Sequence, residues 1–271
     1  MFADWIYRNP TWYWGAVLVA VVVAVSCTGL LVFNRVPHPW HSADRSDACA
    51  AVFGVSGTMY AVLIAFVAVA AWQVLDDGNK LVQAEAGHIT NIYRDVAGLE
   101  PHDVELMRKL LREYANHVAT DEWAAQMAGK PIEHKPGRQT LARLYAATLA
   151  FDERAKSRSL VQTEVLRELN EIYKARRARH LAAGPNSGIP SVVWWIIVIG
   201  TSLTIFASYL LAVSSVRLHL LLVAIASSCI ALVIVLVLAL DQPFRGELCI
   251  SNQPFVIALD SMLSPAEGGK Q

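Results

Sequence analysis

The chain contains 271 residues, with 23 Lys and Arg against 23 Asp and Glu, so its formal net charge is zero. Hydrophobic residues make up 55% of the sequence and charged residues only 17%, whereas soluble domains carry about 25% charged residues. A neutral balance argues against a nucleic-acid binder, which needs a basic excess, and the wealth of apolar residues argues against a largely disordered chain.

Four long apolar runs predict four membrane-spanning helices. Each run is longer than the roughly 20 apolar residues that cross a bilayer as a helix. Apart from Cys and Tyr, their only ionisable side chain is His219. The first run is too long for a cleavable signal peptide and has no small-residue cleavage site after it, so we expect it to remain as an anchor. The runs are residues 12–33, 48–72, 191–213 and 218–240.

Basic residues near the span ends predict the orientation of the chain. Four spans place both termini and the long polar region 73–189 on one side of the membrane, and that side carries more Lys and Arg. The positive-inside rule therefore places it in the cytoplasm. The residues counted are Arg8, Lys80, Lys174, Arg176, Arg177, Arg179 and Arg245 on this side, against Arg35, Arg45 and Arg217 on the other.

The polar region is predicted to be helical, which makes the fold class all-α. A stripe at three-to-four-residue spacing that includes Val82, Glu85 and Ile89 continues the second span into the cytoplasm. A break at Glu100-Pro101 precedes a second helix, loops follow around residues 129–131 and 135–137, and one long helix or a helical pair covers 141–172. The predicted parts are a transmembrane hairpin (1–72), a cytoplasmic helical domain (73–189), a second hairpin (190–240) and a cytoplasmic C-terminal segment (241–271).

The second predicted span has two distinctive faces. A small-residue stripe, extended by Trp72, allows close helix packing. The other face carries large apolar side chains, which form a hydrophobic gate if the helix lines a pore or contact lipid if it does not. The small stripe is Gly57, Ala61 and Ala65, and the candidate pore-lining residues are Met59, Leu63, Phe66 and Val67.

Acidic residues follow two of the spans. Asp76 and Asp77 come one turn after the second span, where they form an acidic ring at a pore mouth or a solvated helix surface. Asp241 directly follows the fourth span and opens the segment Asp241-Gln242-Pro243-Phe244-Arg245-Gly246. A turn that stops the helix explains this segment, and a carboxylate ring facing an ion path is the functional alternative. Glu85, on the apolar stripe, is expected to form an interhelical hydrogen bond.

The sequence contains no recognisable catalytic or cofactor-binding motif, so we predict neither an enzyme nor a cofactor. The four Cys form no CxxC pair, and the only His/Asp cluster (His38 and His41 with Asp44 and Asp47) is more typical of a polar loop than of a metal site. The basic cluster of Lys174, Arg176, Arg177 and Arg179 is explained by the positive-inside rule, with contact to anionic headgroups as a secondary role.

Several short segments, in their order and spacing, carry a family resemblance. They are residues 57–72, Glu85-Ala86, Tyr93-Arg94-Asp95, Tyr114, Glu122-Trp123, Asp241, Pro243, Phe244 and Gly246. Through them the sequence resembles, from about residue 53 to residue 259, the bestrophin-like domain family of bacterial membrane proteins.

The resemblance implies a bacterial inner-membrane protein and, by analogy with bestrophin channels, a pentamer whose second span lines the pore, with Leu63 and Phe66 at its neck. The acidic calcium clasp of animal bestrophins has no match, so calcium activation is not expected.

The leading hypothesis for the function is an oligomeric ion channel of the inner membrane, with both termini cytoplasmic. Its expected partners are other copies of the chain, membrane lipids and inorganic ions, and no nucleic acid. The alternative is a non-conducting membrane scaffold or signalling module that recruits a partner through its cytoplasmic helices. Asp76, Asp77 and Asp241 favour cations, whereas the family analogy includes anion conductors, so the sign of the ion stays open.

Overall fold

A computed structural model describes residue 7 and residues 9–35, 43–130, 135–151, 156–184, 188–211, 213 and 215–263; for residues 43–47, 135 and 156–158 only the backbone is described. The described chain is helical and contains no strand, which confirms the all-α prediction. The cluster of His38, His41 and the side chains of Asp44 and Asp47 lies outside the described part.

Nine main helices follow one another in the described part of the chain. A short 3-10 turn, Val96–Gly98, follows α2, and a wider π-type turn, Val118–Glu122, joins α3 to α4. The helices are α1 (Thr11–Arg35), α2 (Ala43–Asp95), α3 (Pro101–His117), α4 (Trp123–Met127), α5 (Lys135–Leu149), α6 (Lys156–Ala182), α7 (Ser191–Tyr209), α8 (Val216–Leu240) and α9 (Gln253–Leu263).

Four of these helices are long and apolar enough to cross a membrane, as the apolar runs predicted. They are α1, α7, α8 and the first half of α2. Only 11% of the most apolar stretch of α1, α2 and α7, and 22% of that of α8, is buried within the chain. The apolar surface of the spans is therefore available to lipid or to other protein chains.

The chain divides into two compact units. The first draws its described residues from Met1–Val74, Gly188–Gln242 and Gly246–Leu248. In it α1 packs along α8, where Trp14 contacts Ala239, and α2 packs on α7 and α8 through a cluster centred on Tyr60, Ile64 and Ile197. This unit contains the four candidate spans.

The second unit is built around one apolar core. Its described residues come from Leu75–Ser187, Pro243–Arg245 and Cys249–Gln271. The stripe of α2 that begins at Val82 packs against α3, α5, α6 and α9, and Trp123 meets Phe244 and Phe255 edge to face with ring centroids 5.9 and 6.2 Å apart. These helices are amphipathic and bury their apolar faces against one another.

Several element boundaries were predicted correctly. Because α2 runs without interruption from Ala43 to Asp95, the second span continues into the helix that follows it. Pro101 begins α3 after Glu100 in extended conformation. The region 141–172 forms a helical pair, α5 and α6, rather than one long helix.

Two boundary predictions were wrong. Residues 135–137 do not form a loop but begin α5, because proline is tolerated in the first turn of a helix, where its missing N–H has no partner to lose. The third span ends at Tyr209 rather than at residue 213, so that the connection to α8 is longer than the apolar run suggested.

Candidate functional site: an exposed helix face and a buried charge network

The second span exposes most of the side chains proposed to line a pore. Met59 and Phe66 are 70% and 71% exposed and Leu63 is 38% exposed, whereas Val67 packs on the cluster of Tyr60 and Ile64. With about 100° between successive residues, the first three side chains lie roughly a quarter turn from the buried stripe of the helix. Nothing else in the described chain covers them.

The small-residue stripe of the second span is likewise left uncovered by the residues that the structure describes. Ala61 and Ala65 are exposed, Trp72 is 60% exposed, and a side chain added at Gly57 would meet no atom within 4 Å. This stripe lies on the opposite flank of the buried stripe from Met59. The second span therefore presents two separate uncovered faces, one of large apolar side chains and one of small ones.

The two acids after the second span are exposed and share a counter-charge. Lys80 Nζ lies 2.6 Å from Asp76 Oδ2 and 3.1 Å from Asp77 Oδ1. These i,i+3 and i,i+4 pairs raise the pKa of Lys80, mainly through its hydrogen bond to Asp76. One lysine against two carboxylates leaves a net charge of about −1 on this turn of each chain.

Asp241 connects the end of the fourth span to the start of the third. Asp241 is the C-cap residue of α8, where its backbone N–H donates to the Leu238 carbonyl, and its side-chain Oδ1 accepts a hydrogen bond of 2.6 Å from the backbone N–H of Ile189. Burial raises the pKa of this carboxyl above its ordinary value, and the hydrogen bonds from Ile189 and from the Gln242 side chain offset only part of the effect. The helix-stopping role of Asp241 is confirmed, since α8 ends at Leu240. The hydrogen-bond donor to its side chain, Ile189, lies 52 residues away in the sequence.

The raised pKa of Asp241 predicts a pH dependence of stability. The folded chain binds the proton more tightly than the unfolded chain, so the contribution of Asp241 to the free energy of unfolding is complete below about pH 4 and is lost as the pH rises through the folded pKa. Asp241→Asn retains an acceptor for Ile189 and removes the titration. We therefore expect thermal unfolding scans to show the variant gaining stability relative to the wild type between pH 4 and pH 7.

The control for this prediction is Asp260→Asn, which replaces an exposed acid on α9. Melting temperatures of Asp241→Asn and of the wild type that change in parallel with pH would contradict the prediction.

The rest of the segment after α8 forms a tight turn. Gly246 has φ +89°, a conformation that favours glycine, and this permits the bend expected there. The carbonyl of Pro243 accepts a hydrogen bond of 2.8 Å from Ile250 N–H, and Phe244 is buried in the core of the second unit. Pro243, Phe244 and Gly246 therefore have structural roles in shaping this turn.

A network of four charged side chains is buried in the core of the second unit. Arg179 pairs with Glu85 in a bidentate manner, at 2.7 Å from Nε to Oε2 and 3.1 Å from Nη2 to Oε1. Its Nη2 also donates to Glu122 Oε2 at 3.0 Å, and Arg176 forks onto the two oxygens of Glu122 at 3.0 and 2.6 Å. Arg179 and Glu85 are completely buried. Two cations and two anions balance within one contiguous cluster.

A tyrosine completes the network. The Tyr114 hydroxyl donates to Glu85 Oε1 at 2.6 Å and accepts from Arg176 Nη1 at 3.3 Å. Burial, followed by the charge of Glu85, raises the pKa of Tyr114 well above its ordinary value, so the hydroxyl stays protonated. Burial alone would lower the pKa of Arg179, but Glu85, together with Tyr114 and Glu122, outweighs this effect and raises that pKa. The arginine is therefore charged at any physiological pH.

The sequence predicted one member of this network and misassigned others. The interhelical hydrogen bond expected for Glu85 is confirmed. The secondary role suggested for the basic cluster, contact with anionic headgroups, is wrong for Arg176 and Arg179, because both are buried against carboxylates. A usable signal was present, since both arginines continue the apolar stripe of Val165, Leu169 and Ile172 on α6 at three-to-four-residue spacing.

The described residues hold no cluster of three or more His, Cys, Asp and Glu side chains able to bind a metal ion. The first unit offers an exposed span face that can contact other helices. The second unit offers an exposed pair of acids with their lysine, which can contact ions, and a core that contains buried ion pairs.

Comparison with solved structures finds the same fold in a bacterial bestrophin homologue from Klebsiella pneumoniae. One variant of that protein matches with a TM-score of 0.69 at 11% identity, covering 92% of this chain and 99% of the other. A second variant matches with a TM-score of 0.66 at 13% identity, covering 93% and 97%. At such low identity the likeness establishes the fold alone. A comparison with curated proteins found no match.

The fold is therefore that of an α-helical membrane protein with four candidate spans. More specifically, the chain belongs to the bestrophin-like domain family, whose family model matches residues 20–255. The resemblance seen in the sequence is thereby confirmed.

Proposed function

We propose that the protein is the subunit of an oligomeric ion channel in the bacterial inner membrane, with its second span lining the pore. The observation that carries this proposal is the uncovered apolar face of α2, where Met59, Leu63 and Phe66 are exposed although the neighbouring stripe of the same helix packs within the chain. Such a face suits a hydrophobic constriction that gates by dewetting when several copies surround one axis. The similarity to bestrophin homologues supports the same assignment.

The face continues along α2 as a regular stripe. Ala70, Gln73 and Asp77 follow Phe66 at three-to-four-residue spacing, and all three are exposed. In the proposed channel, the apolar neck gives way to a polar and then an acidic position, so that Asp77 and Asp76 lie at the pore mouth. Val67 borders the neck and contacts its own bundle. Asp241 would also contribute to the ion path if its carboxylate contacts the water of the pore.

The assembly would be a homo-oligomer, a pentamer by family analogy, embedded in lipid. The uncovered small-residue stripe at Gly57 and Ala61 allows a helix of a neighbouring copy to approach closely. In this arrangement residues 1–72 and 190–240 form two transmembrane hairpins. The 73–189 domain, the 241–271 segment and both termini lie in the cytoplasm.

Ion flux through reconstituted protein tests this proposal. Purified chain in liposomes is expected to release a loaded salt faster than empty vesicles. Phe66→Ser makes the proposed neck polar, easing its hydration, and should increase the flux severalfold. Ile225→Ser, at an exposed position of α8, is the matched control and should leave the flux unchanged.

Two results would contradict the channel. One is a flux indistinguishable from that of empty vesicles, although cross-linking shows that the reconstituted wild-type protein is an oligomer. The other is an equal response of Phe66→Ser and Ile225→Ser, which would place the ion path elsewhere. Reversal potentials in asymmetric salt determine the sign of the ion, and Asp77→Asn should reduce any preference for cations.

A further inference from the structure

We infer that a basic groove on the surface of the second unit binds a phosphate group. The groove has a volume of about 830 Å³ and lies along the C-terminal half of α6. Arg138 from the first turn of α5 completes it. Its basic residues on α6 are Lys174, Arg176, Arg177 and His180.

Two positively charged side chains of the groove have no acidic partner among the described residues. Arg138 and Arg177 are exposed, and neither forms an ion pair with a described carboxylate. Arg176 is neutralised by Glu122, and Lys174 pairs with Glu171 at 2.7 Å on the surface, where such a pair contributes little. No acidic side chain lines the described groove. Two unpaired guanidinium groups therefore remain for an anionic ligand.

The chemistry of these groups favours a phosphate. Guanidinium presents a planar fork of donors that matches two phosphate oxygens, and it is weakly hydrated compared with an ammonium group. Arg138 stands in the first turn of a 15-residue helix, where the positive end of the helix dipole adds to the attraction.

The size of the groove suits a small molecule better than a simple permeant ion. Small-molecule sites have volumes of about 300–1,000 Å³, and the groove falls within that range. Tyr173 is half-buried in the lining and Leu181 is exposed beside it, which offers apolar contact to the part of the ligand that carries the phosphate. The ligand is therefore a phosphate-bearing molecule, either soluble or a lipid headgroup.

Occupation of the groove would stabilise the helical unit. A ligand that binds only the folded state raises the melting temperature further as its concentration rises above the dissociation constant. Arg176 lines the groove and belongs to the buried network, so the ligand contacts the part of the unit that unfolds cooperatively. Thermal unfolding is thus a readout that does not depend on whether the protein conducts ions.

The first arm of the test uses the full chain in detergent. Pyrophosphate should raise the melting temperature by about 5 °C relative to sodium chloride of equal ionic strength. Arg138→Gln/Arg177→Gln should abolish the shift, and Arg177→Lys, which keeps the charge but loses the fork, should weaken apparent affinity severalfold. Lys109→Gln/Arg143→Gln removes the same charge from exposed positions outside the groove and should leave the shift intact.

The second arm compares the chain in vesicles of phosphatidylcholine with and without phosphatidic acid. A shift lost only in the groove variant supports the inference. A shift confined to the pyrophosphate arm identifies a soluble ligand, and one confined to the vesicle arm identifies a headgroup. The inference is overturned if, in both arms, the groove variant and the control variant respond alike. Loss of ion flux in any variant bears on the proposed channel and not on this site.

Discussion

Replacing Arg179 with Met is expected to lower the free energy of unfolding by about 3–5 kcal/mol, because it removes one partner of a buried ion pair and leaves the other uncompensated. Glu85 would lose both of its arginine hydrogen bonds and keep only the one from Tyr114, and Glu122 would lose one of its donors. The melting temperature of the purified protein should fall by about 10 °C.

Arg177→Met provides the matched control for this variant. Arg177 lies two residues away on the same helix, is exposed, and forms no ion pair with the described residues, so its replacement should change stability by no more than about 0.5 kcal/mol. Equal melting temperatures for the two variants would show that the buried network contributes nothing to the fold. Arg179→Lys should fall between the two, since it restores the charge without the planar fork.

The pairing of Glu85 could be predicted from the sequence, but its partner in the buried network could not. Glu85 stands on an apolar stripe, and a charge at such a position must be paired, so its hydrogen bonding could be inferred without the structure. The identity of the partner could not, because Arg179 is 94 residues away and local spacing carries no information about which helices pack together. The four spans, in contrast, could be predicted because the length and apolar content of a segment are local properties of the sequence.

The position of Glu122 depends on a local irregularity of the helix. The π-type turn at Val118–Glu122 adds a residue to the repeat and joins α3 to α4 in one path. Gly137 then lies so close that a methyl group there would be 2.6 Å from Glu122 Oε1 and 2.8 Å from Arg176 Nη1. Sequence patterns assign residues 135–137 to a loop because Pro and Gly usually mark one, whereas here the glycine permits close approach of α5 to the ion pair.

The direction of the exposed face of the second span depends on how the buried face of the same helix packs. At Gly200 on α7, an added Cβ would contact Cε2 of the Tyr60 ring and lie 2.6 Å from Cδ2. The ring cannot rotate away without cost, since its hydroxyl donates to the Ile197 carbonyl at 3.0 Å and lies 2.6 Å from Thr201 Oγ1. The close contact of α2 with α7 therefore sets the rotation of α2, and with it the direction of Met59 and Phe66.

Gly200→Val is accordingly expected to destabilise the first unit by about 3 kcal/mol, the sum of overpacking and of hydrogen bonds lost by the displaced ring. If the second span lines the pore, the same substitution should also change the ion flux, because it rotates or displaces the neck. Ser202→Val adds bulk at an exposed position of the same helix and should do neither. Adding Tyr60→Ala to Gly200→Val removes the clash and should recover part of the lost stability. If the double variant is no more stable than Gly200→Val, packing at this contact is not what positions the second span.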